Sequence, residues 1–216
     1  MMEKYPFPKA VIFDWDNTLV DSVPVVYEAM KKTYETFGLV PPTLDDTYHM
    51  QGFSLRDSFP KVFGDDWEKA KTIYLSAFEA VHLEKVKPFD KTEELLAYAF
   101  EKIGVLAVLS NKTGRILRQE ADWFGWTRYF KALVGSTDAP VDKPAKEAVD
   151  FALKDTGIDR AKDPVWFVGD GAVDVMCARA AGAYPVHVGS KKGFEDVPCV
   201  LERTVDMIGL LRSYDL

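Results

Sequence analysis

The sequence has few of the residues that mark secreted, membrane or redox proteins. Its 216 residues include only two cysteines, Cys177 and Cys199, which are far apart and lack CxxC or Cys/His ligand spacing. We expect both to be small buried side chains in a reducing compartment. The opening MMEKYPFPKAVIFD has no apolar segment typical of a signal peptide or a spanning helix, which predicts a cytoplasmic protein with no membrane partner.

The chain also lacks an excess of basic residues. Its 27 Lys and Arg are outnumbered by 34 Asp and Glu, giving a formal net charge of -7. Affinity for nucleic acids comes largely from clustered Lys and Arg, so no nucleic-acid partner is expected. With 47% hydrophobic and 28% charged residues, the composition is that of an ordinary globular protein. The length allows one domain, or a core with a smaller inserted unit.

Short apolar runs, mostly without alternation, indicate strands whose two faces are both covered. These runs are Ala10 to Phe13, Val105 to Leu109, Ala132 to Val134, Val165 to Val168 and Pro185 to Val188. Helical patterns follow at Lys91 to Lys102, Arg115 to Phe124, Pro144 to Thr156, Val173 to Ala181 and Val205 to Leu211. The alternation of strand and helix predicts an α/β fold with a Rossmann-like parallel sheet core.

One stretch interrupts this alternation and contains no convincing strand. Its helical segments are Val23 to Phe37, Leu55 to Phe63 and Trp67 to Val86. We interpret residues 20–87 as an inserted α-helical cap and residues 1–19 and 88–216 as the core. The two crossings between these units could act as a hinge, with the active site in the cleft between them.

Polar residues that can support catalysis follow successive predicted strands. Asp14 and Asp16 follow the first strand, Ser110 and Asn111 the second, Lys143 lies on the loop after the third, and Asp170 and Asp174 follow the fourth. Each alone has a structural explanation as a turn or helix-cap residue. In an open parallel sheet, however, ligands bind at the carboxyl ends of the strands. The coincidence of all these residues at that edge therefore predicts a functional site.

Charge repulsion indicates that this site needs cations. Two like charges about 4 Å apart repel by about 4 kcal/mol at an effective dielectric constant of 20. Several clustered carboxylates would therefore cost much of a typical folding stability. Lys143 supplies one positive charge, and a hard divalent ion with oxygen ligands, Mg²⁺, is the natural second.

Two stretches, FDWDNTLVDS and VGDGAVDVMCARAAG, together with Ser110 and Lys143 between them, resemble the four signature motifs of the haloacid dehalogenase superfamily. The resemblance covers essentially the whole chain, in the same order. The helical insert resembles the C1-type cap of that superfamily, and the chain looks most like its phosphoglycolate-phosphatase-like group. Trp15 departs from the pattern, because Leu, Met or Phe is more familiar at that position.

The resemblance implies a catalytic role for four residues. Asp14 is similar to the nucleophile that attacks phosphorus and forms an aspartyl-phosphate. Asp16 is similar to the general acid and base that protonates the departing alcohol and later activates water. Ser110 and Lys143 would bind the transferring phosphoryl group and offset its charge.

The resemblance also implies a magnesium site. Asp14, the backbone carbonyl of Asp16 and Asp170 would be its protein ligands. Asp174 would orient the metal site or Lys143 without itself binding the ion.

Further contacts are expected around the substrate. Thr18 and Asn111 are plausible neighbours of the phosphoryl group. The stretch 49–57 is similar to the cap loop that faces the active site, in which Gly52 would allow close backbone approach. Arg56 would bind a carboxylate or second phosphate of the substrate. It could equally be a solvated arginine, and the cap histidines His49 and His82 have no assigned role.

These observations together predict a Mg²⁺-dependent phosphatase that hydrolyses a small phosphorylated metabolite, either phosphoglycolate-like or a sugar phosphate. Two alternatives stay open, a sugar phosphomutase of the same superfamily and a catalytically weak protein that binds through its phosphate site. The sequence does not distinguish a monomer from a homodimer.

Overall fold

In the computed structural model, residues 5–50 and 52–215 are described, except for the side chains of residues 49 and 50. The strands within these ranges are β1 (Ala10–Phe13), β2 (Val20–Asp21), β3 (Lys87–Pro88), β4 (Leu106–Thr113), β5 (Ala132–Ser136), β6 (Val165–Gly169), β7 (Tyr184–Val188) and β8 (Cys199–Leu201). The helices are α1 (Val23–Thr36), α2 (Leu44–Met50), α3 (Leu55–Phe63), α4 (Trp67–Glu79), α5 (His82–Lys85), α6 (Thr92–Ile103), α7 (Gly114–Trp123), α8 (Lys146–Leu153), α9 (Ala172–Ala180) and α10 (Met207–Arg212).

Six of the strands form one parallel sheet in the order β5-β4-β1-β6-β7-β8. The central strand β1 is fully buried, and its alternate side chains enter two different hydrophobic clusters. Val11 and Phe13 pack in the cluster that includes α6, α7 and α10, whereas Ala10 and Ile12 pack in the cluster that includes α8 and α9. Both faces of the sheet are therefore covered, which explains why the strand sequences do not alternate. The predicted α/β class and parallel sheet are confirmed.

Five helices, α1 to α5, come between β2 and β3 along the chain. We call α1 to α5 the helical insert. Within it, α1 and α3 both pack against α4. The chain enters and leaves the insert side by side, because Val20 and Asp21 pair antiparallel with Pro88 and Lys87. These short strands were not predicted, although they lie near the expected crossings.

The structure corrects several predicted boundaries. The strand predicted to end at Leu109 continues to Thr113, with an irregular register between Leu109 and Thr113. The helix predicted from Trp67 to Val86 is two helices, α4 and α5, and between them Val81 has a non-helical backbone with φ -138° and ψ -8°. Strand β8 and helix α2 were not predicted.

The structure also bears on the two cysteines and on membrane-spanning segments. Cys177 and Cys199 are both free and buried, as expected. Among the described residues, none of the helices combines the length and apolar character that crossing a membrane requires.

Candidate active site

The carboxyl ends of β1, β4 and β6 lie side by side in the sheet and place the predicted residues around one cavity. Asp14 directly follows β1, and its backbone N–H donates to the carbonyl of Val168 in β6 at 2.8 Å. Ser110 lies within β4, and Asp170 directly follows β6. These strand ends converge because β1 pairs in parallel with both neighbours.

Asp14 and Lys143 form a buried ion pair at the centre of the site. The Nζ of Lys143 lies 2.8 Å from Oδ1 of Asp14 and 2.6 Å from Oδ1 of Asp174. Burial raises the pKa of Asp14 to about 7, although the Lys143 ammonium acts to lower it. Burial also disfavours the charge on Lys143, but Asp14 and Asp174 hold the pKa of Lys143 above its usual range. Lys143 therefore stays a cation inside the protein.

Asp170 and Asp174 bring two further carboxyl groups next to Asp14. Burial, reinforced by the charges of Asp14 and Asp174, raises the pKa of Asp170 to about 8. Asp174 accepts a hydrogen bond from the Gly171 backbone N–H at 3.0 Å through its other oxygen, Oδ2. Gly169 makes room for this arrangement, because a Cβ at that position would lie 2.4 Å from the Asp174 carboxyl carbon.

The donor set fits a hard divalent cation. One carboxylate oxygen from each of Asp14, Asp170 and Asp174 lies within 4.8 Å of the others. Both Asp174 oxygens are already bound by Lys143 and Gly171, so Asp14 and Asp170 are the better candidates for ligands. Hard ions such as Mg²⁺ prefer such oxygen donors and would compensate the negative charge that Lys143 alone leaves unbalanced.

Asn111 connects three parts of the site through its amide. Its Oδ1 accepts from the backbone N–H of Lys143 at 3.0 Å, and its Nδ2 donates to the carbonyls of Lys143 at 3.2 Å and Gly52 at 2.5 Å. These bonds fix the position of Lys143 and join the helical insert to β4. The Asn111 side chain thus orients neighbouring residues, and its predicted substrate contact stays a prediction.

The other predicted neighbours are placed differently. Thr18 is fully buried and does not line the cavity, but its Oγ1 donates to Oδ1 of Asp170 at 3.4 Å. Gly52 lines the cavity with a φ of 111°, a conformation that favours glycine. Arg56 is absent from the described lining, and its Nε lies 2.6 Å from Oδ2 of the buried Asp142. The side chain of His49 lies outside the described residues.

Asp16 belongs to a charged network that the sequence analysis missed. The Nζ of Lys112 lies 2.7 Å from Oδ1 of Asp16 and 2.8 Å from Oε2 of Glu120. Glu120 is fully buried and also accepts hydrogen bonds from Trp15 Nε1 at 2.6 Å and from His82 Nδ1 at 2.9 Å. Although burial favours the neutral acid, Lys112 holds the pKa of Glu120 below its usual range.

One sequence signal could have identified Glu120. It shares the buried face of α7 with Ile116, Leu117 and Ala121, where helical spacing otherwise places apolar residues. A charged residue on such a face needs a buried partner. Lys112, eight positions earlier, provides it.

The cavity has a volume of about 500 Å³ and lies between the strand ends and the helical insert. The residues that line it on the core side include Asp14, Asp16, Ser110, Asn111, Lys112, Lys143, Asp170 and Asp174. The insert contributes residues from α1, α2, α3 and α4. This volume lies within the range of about 300–1,000 Å³ that is typical of small-molecule sites.

A family profile described as haloacid dehalogenase-like hydrolase matches residues 11–188 of the chain. The chain is 29% identical over 185 residues to a phosphoglycolate phosphatase of Pseudomonas fluorescens, covering 81% of this chain and 67% of that protein. It is also 29% identical over 190 residues to a phosphoglycolate phosphatase of Neisseria meningitidis, covering 83% of this chain and 80% of the relative.

Solved structures share the fold. A haloacid dehalogenase-superfamily hydrolase from Ehrlichia chaffeensis has a TM-score of 0.66 at 27% identity, covering 97% of this chain and 98% of its own. A haloacid dehalogenase-like family hydrolase from Streptococcus pneumoniae has a TM-score of 0.80 at 21% identity, covering 93% and 96%. The second likeness, at this low identity, supports the fold alone.

Proposed function

The chain belongs to the family of haloacid dehalogenase-like hydrolases, and on that premise we propose that it is a magnesium-dependent phosphatase of a small phosphorylated metabolite. The family match confirms the resemblance inferred from the motifs and the predicted class of enzyme. The relatives named phosphoglycolate phosphatases support phosphate monoesters as the substrates. The observation that carries the proposal is the cluster of Asp14, Lys143, Asp170 and Asp174 at one end of the cavity.

In the proposed reaction, the Asp14 carboxylate attacks phosphorus and forms an aspartyl-phosphate while the ester P–O bond breaks. Asp16 donates a proton to the departing alcohol. It then takes a proton from the water that attacks the intermediate, and phosphate leaves with Asp14 regenerated. The ion pairs support separate roles for the nucleophile and the general acid, because Asp14 contacts Lys143 whereas Asp16 contacts Lys112.

Ser110 and Lys143 would bind the phosphoryl oxygens from the core side of the cavity. Asp14, Asp170 and the carbonyl of Asp16 would hold Mg²⁺, with Asp174 keeping Lys143 in place. When bound, the ion would supply positive charge that favours ionised carboxylates and offsets the charge of the phosphoryl group.

The mutase alternative receives less support. Transfer of a phosphoryl group between two positions of a sugar requires the cavity to hold a second phosphate. A second phosphate binds best to cationic side chains. Among the described lining residues, the cations are Lys112 and Lys143, and both already contact two carboxylates. Arg56 contacts Asp142 instead.

The test is the substitution Asp14→Asn. It removes the nucleophile with little change in shape, so we expect phosphate release from p-nitrophenyl phosphate with Mg²⁺ to fall by at least about 10³-fold. Circular dichroism and the Tm should show that the variant is folded. Substantial residual activity in Asp14→Asn would contradict the proposed nucleophile. A wild-type protein that binds phosphate but turns over no ester would instead support the binding-protein alternative.

A further inference from the structure

The cavity is larger than its phosphate site requires. The charged side chains that line it all belong to the core side, within the residues that the structure describes. The rest of the space, between these groups and the helical insert, is available to the alcohol part of the substrate. The composition of that wall therefore indicates which alcohol the enzyme accepts.

The wall formed by the insert is predominantly apolar. Its side chains include Val26, Met30, Leu55, Phe59, Leu75 and Phe78. The polar groups that the described insert residues add are neutral hydroxyls, on Tyr34, Thr47, Tyr48, Ser58 and Tyr74. Burial raises the pKa of Tyr74 well above its usual range, so its hydroxyl stays neutral. A wall of this kind stabilises apolar groups by removing them from water.

Exposed apolar side chains continue this surface at the cavity. Phe53, Val62 and Met176 line it and are 56%, 39% and 56% exposed, respectively. Large apolar side chains that remain exposed at the lining of one cavity often mark a binding surface. Their position extends the apolar surface from the interior of the cavity toward solvent.

The charges disfavour an acidic alcohol part. The described lining contains four carboxyl groups, on Asp14, Asp16, Asp170 and Asp174, against the two lysines Lys112 and Lys143. Each lysine is already paired with two carboxylates. A carboxylate on the substrate would enter this cavity without a described cation free to receive it, at a cost in desolvation.

We infer that the substrate is a phosphate monoester whose alcohol carries an apolar, aromatic or extended aliphatic group, rather than a second acidic group. This inference rests on the proposed phosphatase function and narrows its substrate class. The phosphate binds at the strand ends, and the apolar part of the alcohol lies against α1 and α4. The insert thus selects the alcohol by burial of apolar surface.

The experiment compares propyl phosphate with 3-phenylpropyl phosphate, which have similar leaving groups but differ by one phenyl ring. We expect kcat/KM to be at least about tenfold higher for the phenyl ester, because burial of the ring is favourable. We also expect 2-phosphoglycolate to be a poorer substrate than the phenyl ester. Equal kcat/KM values for the two esters, or a preference for 2-phosphoglycolate, would overturn the inference while leaving the phosphatase function intact.

The variant Leu75→Gln places a polar amide in the apolar wall. It should reduce the ratio of the two kcat/KM values by about fivefold to tenfold. Val40→Gln is the matched control, because Val40 is 88% exposed and lies outside the described lining, so this ratio should not change. A ratio unaffected by Leu75→Gln would contradict the placement of the apolar group. If no ester, including p-nitrophenyl phosphate, is hydrolysed with Mg²⁺, the proposed function itself fails, and the inference with it.

Discussion

Lys112 carries a charge in the protein interior, where an ammonium group is stable only with close partners. Its side chain is only 5% exposed, and Asp16 and Glu120 both lie within hydrogen-bond distance. Burial opposes the charged form, yet these two carboxylates raise the pKa of Lys112. Glu120 is itself fixed by the indole of Trp15 and by His82 from the insert. The network therefore holds the Asp16 carboxyl in one orientation.

This geometry predicts that Lys112 positions the general acid. The substitution Lys112→Met should lower kcat for propyl phosphate by roughly 10–100-fold, because an alkoxide leaves poorly without a well-placed proton donor. The loss should be much smaller for p-nitrophenyl phosphate, whose leaving group needs little protonation. Steady-state kinetics with both esters measures the difference, and Lys112→Arg should restore part of the activity.

The control for this prediction is Lys154→Met, which removes a lysine whose side chain is 55% exposed. The double variant Lys112→Met, Glu120→Gln removes both buried charges and guards against simple unfolding of the single variant. Equal losses for the two esters in folded variants would show that Lys112 acts on the structure alone.

The sequence allowed only part of this site to be predicted. Asp14, Lys143 and Asp170 follow strands or lie on the loop after one, so their meeting follows from the topology of a parallel sheet. Lys112 also follows a predicted strand, but its pairing with Asp16 could not be predicted, because Asp16 is 96 positions away and only the fold brings them together. The role of Arg56 was open for a related reason. Its partner Asp142 lies on a different loop, and spacing along the chain does not reveal that contact.

At the level of elements, several polar contacts join the insert to the core, and two of them reach the segments around Lys143. Arg56 at the start of α3 pairs with Asp142, which directly precedes Lys143. Asn111 in β4 donates to the carbonyl of Gly52. Both contacts connect the insert to the segments that hold Lys143, so movement of the insert and the position of Lys143 should be linked.

We therefore expect Arg56→Ala to loosen the insert. The variant leaves the buried Asp142 carboxyl without its cationic partner, which should increase hydrogen exchange in α3 by about threefold to tenfold. Hydrogen exchange followed by mass spectrometry measures this effect. The control is Arg118→Ala, which removes a comparable ion pair with Asp138 between α7 and the loop after β5. Unchanged exchange in α3 of Arg56→Ala would show that the pair does not hold the insert.

The accuracy of the predicted elements depended on their length. Buried strands such as β1 and β6 are continuous apolar runs, and these are visible in the sequence. The short strands β2 and β3 have two residues each, which is too few to show a hydrophobic pattern. Strand β8, with three residues, was missed for the same reason. The break between α4 and α5 falls at Ala80 and Val81, where the sequence has no glycine or proline to mark it.

At the level of the whole molecule, the fold concentrates negative charge where the carboxyl ends of β1 and β6 face the helical insert across the cavity. The predicted parallel sheet and the predicted family of the chain are both confirmed. They could be predicted because buried strands and signature motifs are visible in the sequence itself. The shape of the cavity could not be predicted, since it depends on how α1, α3 and α4 pack together. The part of a substrate that would lie beyond the phosphate therefore depends on how these helices pack, and the sequence alone does not reveal it.

We expect the concentrated charge to make the stability of the protein depend on pH and on magnesium. In the unfolded chain, aspartates lose their protons near pH 4, whereas folding raises the pKa of Asp14 to about 7 and of Asp170 to about 8. Between these values the folded state binds more protons than the unfolded state. The contribution of these two carboxyl groups to the free energy of unfolding should then decrease as pH rises from about 4 to about 8 in the metal-free protein.

Magnesium should reverse this loss, because a divalent ion favours the ionised carboxylates and stabilises the folded state that binds it. We expect Mg²⁺ to raise the Tm by roughly 4–8 °C at pH 8, equivalent to about 2 kcal/mol, and by much less at pH 5. Differential scanning fluorimetry across this range, with and without EDTA, measures both effects. In Asp170→Asn, which removes one of the two raised carboxyl groups, the metal-free Tm should fall less with pH and Mg²⁺ should have little effect. A Tm shift that is independent of pH, or that persists in Asp170→Asn, would mean that the ion binds elsewhere.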